Sequence, residues 1–127
     1  MQITKLAFLV SDYDAAIDWF SRCLGFKLSE DTDMGGGKRW VVMQPPGGQG
    51  VALVLAKAVG DQQATRGRQA GGRVFLFAET DDFDREHRRM IGEGVVFRES
   101  PRNEPYGRVA VFEDLYGNPW DLIEPAR

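Results

Sequence analysis

Two stretches of this chain repeat one pattern at an interval of about 70 positions: Val10-Ser11-Asp12-Tyr13-Asp14 leads toward Leu24-Gly25-Phe26, and Thr80-Asp81-Asp82-Phe83-Asp84 leads toward Glu93-Gly94-Val95. In each, an apolar run is followed by a short acid that can cap the free N–H groups of a first helical turn, then an aromatic residue and a second acid. Such a repeat predicts two copies of one module. It therefore also predicts an architecture and the place of a functional site.

The rest of each copy reads in the same order. Ile3 to Val10 is almost continuously apolar and β-branched or aromatic, which predicts a strand buried on both faces. Ala16, Ile17, Phe20 and Leu24 then form one helical stripe, and Gly25 supplies a left-handed stop. Strands are expected at Phe26 to Ser29, Arg39 to Gln44 and Val51 to Leu55, with turns at Met34-Gly35-Gly36-Gly37 and Pro45-Pro46-Gly47-Gly48. The second copy repeats this with a strand at Arg73 to Glu79 and a helix at Asp82 to Ile91. Strands at Val95 to Arg98, Gly107 to Glu113 and Trp120 to Ile123 follow, the last two joined by the turn Leu115-Tyr116-Gly117-Asn118. Residues 1–57 and 73–127 are thus two βαβββ modules, and 58–72, rich in Gly, Gln and charge without periodicity, is the linker of one 127-residue domain.

Composition removes several function classes. A net charge of −3 gives no basic face to displace the counterions of nucleic acid. No apolar run approaches the ~18 residues of a membrane span, and the start Met1-Gln2-Ile3-Thr4-Lys5 lacks the apolar core of a signal peptide. With a single cysteine, Cys23, no internal disulfide forms, so a cytoplasmic location is expected and Cys23 reads as a buried structural thiol. Ser11 has no histidine in reach for a triad. The glycine runs join antiparallel strands and open no helix, so they are not phosphate cradles. The acid pairs Asp12/Asp14 and Asp81/Asp82 sit at helix starts, where capping explains them.

Leu9-Val10-Ser11-Asp12, Ala16-Ile17-Asp18-Trp19-Phe20 and Leu24-Gly25-Phe26 resemble the opening signature of the vicinal oxygen chelate superfamily, which includes glyoxalases, bleomycin-resistance proteins and extradiol dioxygenases. Val111-Phe112-Glu113-Asp114-Leu115-Tyr116-Gly117-Asn118-Pro119-Trp120-Asp121-Leu122 is similar to its closing strand–turn–strand. The resemblance implies an α+β fold in which the modules form a cupped mixed sheet, and a homodimer. In metal-dependent members a divalent ion sits inside the cup, and its ligand positions correspond here to Lys5, the neighbourhood of Ala52, Phe75 and Asp121. Only Asp121 is a cation ligand. The single histidine, His87, falls on the second helix, where it is expected on the helix surface.

The expected function is therefore a glyoxalase- or bleomycin-resistance-like small-molecule pocket, metal-independent and without a cofactor, with no catalytic residue assigned. Lys5 either pairs with Asp121 in place of the ion or extends to solvent; Schiff-base chemistry at Lys5 has no supporting residue. Trp40, Phe75, Phe77 and Tyr106 are candidate pocket walls, and Arg39 and Arg108 candidate anion clamps, each against the alternative of ordinary core or surface. The competing readings are a lyase, isomerase or dioxygenase with an atypical metal site around Asp121 and Glu113 or Glu124, and a non-catalytic interaction module.

Overall fold

A computed structural model describes all 127 residues. The fold is α+β, with two four-stranded mixed sheets. The chain divides into two compact units, Met1–Arg66 and Gly67–Arg127, and the division falls inside the 58–72 stretch.

In the first unit the order is β1 (Lys5–Val10), α1 (Tyr13–Leu24), β2 (Lys27–Gly35), β3 (Lys38–Gln44), β4 (Ala52–Lys57) and the single turn α2 (Gln62–Thr65). The sheet runs β1-β4-β3-β2, with β1 and β4 parallel and the other pairs antiparallel. Helix α1 starts where Asp12 accepts the Asp14 N–H at 2.9 Å and stops at Gly25, whose φ of 71° a side chain would resist. Its buried residues Tyr13, Ala16, Trp19, Phe20, Cys23 and Leu24 cover one face of the sheet, where Phe8, Val10, Val41, Met43, Leu53 and Leu55 are also buried. Phe8 and Phe20 meet edge to face with centroids 5.1 Å apart. Cys23 is buried in this core and forms no disulfide.

β1 is buried on one face only: Phe8 and Val10 are covered, while Lys5 and Ala7 are exposed and Leu9 is half-buried. Its apolar run conceals an alternation, because small Ala7 and half-covered Leu9 stand where polar residues would have announced an open face. β2 extends beyond the expected Phe26 to Ser29, because the hairpin carries its ladder through the polar run to Gly35.

The second unit contains β5 (Leu76–Glu79), α3 (Phe83–Gly92), β6 (Arg102–Glu104), β7 (Gly107–Glu113) and β8 (Pro119–Pro125), in sheet order β5-β8-β7-β6. Asp82 caps α3 by accepting the Arg85 N–H at 3.1 Å. Phe83 and Met90 of the helix are buried, as are Ala110, Phe112, Trp120 and Leu122 of the sheet. The strand expected at Val95 to Arg98 reduces to one bridge, Phe97 to Phe112. Pro101 has no N–H to give a ladder, and regular pairing with β7 resumes only at Arg102. Between the two segments the Glu99 carboxylate accepts the Val111 N–H at 3.0 Å, so a side chain does the work of the missing strand residue.

The turn before β8 closes on a buried carboxylate. Asp114, 5% exposed, accepts from the backbone N–H of Tyr116 and Asn118, from Asn118 Nδ2 and from Trp120 Nε1, at 2.9 to 3.1 Å. Burial raises its pKa above the ordinary carboxylate value against the pull of these donors. Asn118 in turn accepts the Gln69 N–H at 3.2 Å, tying the end of the linker to the turn. No helix is long and apolar enough to cross a membrane.

Candidate functional site

Each sheet has a face that its helix does not cover. In the first unit strand alternation puts Lys5, Ala7 and Leu9 of β1, Ala52 and Val54 of β4, Trp40, Val42 and Gln44 of β3 and Glu30 of β2 on that open side. A cavity of about 310 Å³ lies there, lined by Lys5, Glu30, Val42, Gln44 and Ala52 among others. Gln44 Oε1 is buried without a hydrogen-bond partner. Lys5 is exposed, and Trp40 is 38% exposed.

In the second unit the open side carries Phe77 and Glu79 of β5, Asp121 and Ile123 of β8, Val109, Val111 and Glu113 of β7, and Arg102 of β6. Phe77 lies beside Asp121 in the register and is 68% exposed. Asp121 is half-buried, and its Oδ1 is wholly covered yet has no partner. Burial raises the Asp121 pKa; the Arg102 charge opposes the rise and the Glu99 charge adds to it. Arg102 itself is fixed: Nε donates to both Glu99 oxygens, at 3.1 and 3.2 Å, and Nη1 donates to Glu104 at 2.8 Å and to the Tyr106 hydroxyl at 3.3 Å.

The two arginines expected as anion clamps lie on the opposite, helix-covered side. Arg39 Nη1 donates to Asp14 at 2.9 Å, its Nε and Nη2 donate to Asp31 at 3.1 and 2.7 Å, and its guanidinium lies 5.1 Å over the Tyr13 ring. Arg108 does the same for the second unit: its guanidinium lies 5.2 Å over Phe83, and Nε faces Asp84 at 3.3 Å as an ion pair, without hydrogen-bond alignment. Both arginines fasten a central strand to the first turn of the helix packed on it. The repeated acid that follows each aromatic, Asp14 or Asp84, is the signal for this role.

His87 stacks on Phe83 and lies 4.5 Å from the Phe97 ring, so it packs on the helix side, away from the open face. Of the acids weighed with Asp121, Glu124 accepts the Phe83 N–H at 2.7 Å on the helix side, and Glu113 pairs with Arg98 at 2.9 Å. Glu99 and Arg102 were not legible as site residues, because no periodic pattern marks the segment that positions them; Gln44 ends an expected strand, where its parity with Trp40 is the available signal.

The register also refines one correspondence. Counting from the equivalent caps Asp12 and Asp82, Ala7 matches Phe77; Ala7 faces Val54 and Phe77 faces Asp121. Val54, two residues from Ala52, is therefore the first unit's counterpart of Asp121. The ligand positions hold a lysine, apolar residues and one carboxylate. No group of three or more His, Cys, Asp or Glu side chains is placed to hold a metal ion. This donor set does not fit a divalent cation, which needs several oxygen or imidazole ligands.

The family model for the Glyoxalase/Bleomycin resistance protein/Dioxygenase superfamily matches residues 2–122, and the chain belongs to that superfamily. A protein of Shewanella frigidimarina is 52% identical over 124 residues, covering 96% of this chain and 92% of its own. Among solved structures, TnmS3, an antibiotic binding protein from Streptomyces sp. CB03234, is similar with a TM-score of 0.79 and 30% identity, over 99% of this chain and 97% of its own. UcmS2 is similar with a TM-score of 0.84 and 25% identity, over 98% of both chains.

Proposed function

We propose that this protein binds a small organic molecule on its open sheet faces without a divalent metal, and that binding rather than turnover is its activity. The observation that carries the reading is the content of the superfamily's ligand positions, where Asp121 is the one carboxylate and its neighbours in the register are Phe77 and Val111. A surface of exposed aromatic rings with a few fixed polar groups suits recognition of an organic ligand. The likeness to an antibiotic binding protein over nearly the full chain supports a sequestering role for the same surface. We further propose a homodimer, supported by the exposed Ile3, Trp40 and Val51 of the first unit, which a second copy would cover. Light scattering should then return twice the 14.2 kDa chain mass.

The test is a thermal-shift screen of aromatic antibiotics and related natural products against protein held in chelator, followed by addition of divalent ions. A ligand at ~100 times its Kd should stabilise the fold by roughly 2.7 kcal/mol, and the ions should neither raise the Tm nor change ligand affinity. Stoichiometric metal that is retained on purification and lost in Asp121→Ala would overturn the reading.

A further inference from the structure

The geometry points to a ligand class for the second unit: a ring carrying a protonated amine, whose ammonium pairs with the half-buried Asp121 carboxylate and lies against the face of Phe77. This inference rests on the small-molecule reading above and deepens it. Three observations within one sheet support it. First, the Asp121 carboxylate is half-buried, with Oδ1 covered and unpartnered, so the group has lost water on that side without gaining a donor. A cationic N–H is the strongest partner it can take.

Second, Phe77 stands beside Asp121 in the register with 68% of its surface exposed. An exposed ring next to an unpaired carboxylate offers a cation both a π face and a counter-charge. Third, the nearby positive charges are already committed. Arg102 is held by Glu99 and Glu104, and Arg98 by Glu113. Five carboxylates on this side, counting Asp121 and Glu79, face the guanidiniums of Arg98 and Arg102, both already paired, so an anionic ligand meets excess negative charge. The two arginines expected as anion clamps, Arg39 and Arg108, are engaged on the helix sides.

The experiment titrates isotope-labelled full-length protein in chelator with naphthylmethylamine, naphthylmethanol and naphthoate, which share one ring and differ in charge. Amide shifts should centre on Phe77, Ala78, Asp121 and Leu122. The amine should bind about tenfold more tightly than the alcohol. Asp121→Asn, which keeps the side chain's shape, should erase that preference and leave alcohol binding intact. Phe77→Ala, at an exposed position, should weaken both.

Naphthoate binding as tightly as the amine would overturn the inference, as would an amine preference that survives in Asp121→Asn. If the alcohol binds at these residues and the amine gains nothing, the ligand class is wrong while the small-molecule reading stands. Silence from all three probes also overturns the inference, and the binding reading falls with it only if the thermal screen is blank.

Discussion

The two units are alike on the side that packs against a helix and unlike on the side that does not. Asp12 and Asp82 cap the helices, Tyr13 and Phe83 follow, and Arg39 and Arg108 lie over those rings at 5.1 and 5.2 Å while pairing with Asp14 and Asp84. On the open sides the correspondence breaks: Lys5, Ala7 and Val54 of the first unit become Phe75, Phe77 and Asp121 in the second. The helix side answers to packing, which both copies must satisfy to fold. The open side carries less of that demand, which falls on Ala52, Val42 and Val109, so its exposed residues can be set by whatever the protein binds.

A second asymmetry lies in the turns that lead into the last strand of each unit. The first uses Pro45 to Gly50, with no buried polar group, and the second uses the Asp114 carboxylate with its four donors. Asp114→Ala leaves those donors without their acceptor and should cost about 3–5 kcal/mol in urea unfolding. Pro46→Ala should stay within about 1 kcal/mol. Equal losses would mean that the two turns carry the same load and would remove this contrast.

A smaller effect is expected where the chain enters the second unit. A Cβ on Gly67 would lie 2.1 Å from the Tyr116 carbonyl oxygen, at a φ of +77°, whereas Gly71, at +67°, has nothing within 4 Å. Gly67→Ala combines backbone strain with a clash against backbone and should cost roughly 2–3 kcal/mol, against about 1 kcal/mol for Gly71→Ala. Calorimetry of the two variants separates strain alone from strain plus contact. Indistinguishable Tm values would show that the residues around 67 yield freely and that Tyr116 does not hold them.

Much of the helix side was legible because capping and helical spacing are local: Asp12, Gly25 and Asp82 announce their roles within four residues of where they act. The open side was legible only in part. Phe77 and Asp121 could be placed by parity, whereas Arg39 and Arg108, expected as candidate anion clamps, turn to the helix side. The deciding partners, Asp14 and Asp84, lie 25 and 24 positions earlier, a separation at which periodicity says nothing. β6 and the Glu99 carboxylate were hidden for a related reason. A three-residue charged strand, Arg-Asn-Glu, has no apolar alternation, and a side chain that completes a backbone ladder leaves no pattern in the sequence.

The finest contrast between the units is the sign of their pH dependence. In the first, hydrogen bonds from Arg39 hold the Asp31 carboxyl below its ordinary value. The folded state therefore binds this proton more weakly than the unfolded chain, and the stabilisation, present above the unfolded value, is lost as pH falls through the folded one. In the second, burial holds Asp121 above its ordinary value. Its contribution has the opposite sign: it is present in acid and lost as pH rises through the folded value. Carboxyl-carbon NMR titration should find Asp31 titrating below Asp121. Arg39→Gln should move Asp31 up toward the ordinary range and leave Asp121 in place, while Arg102→Gln should raise Asp121 further by removing the charge that opposes its burial. If Asp31 and Asp121 titrate together, Asp121 is better solvated than its covered oxygen implies, and the open side of the second unit loses the unpaired carboxylate that distinguishes it from the first.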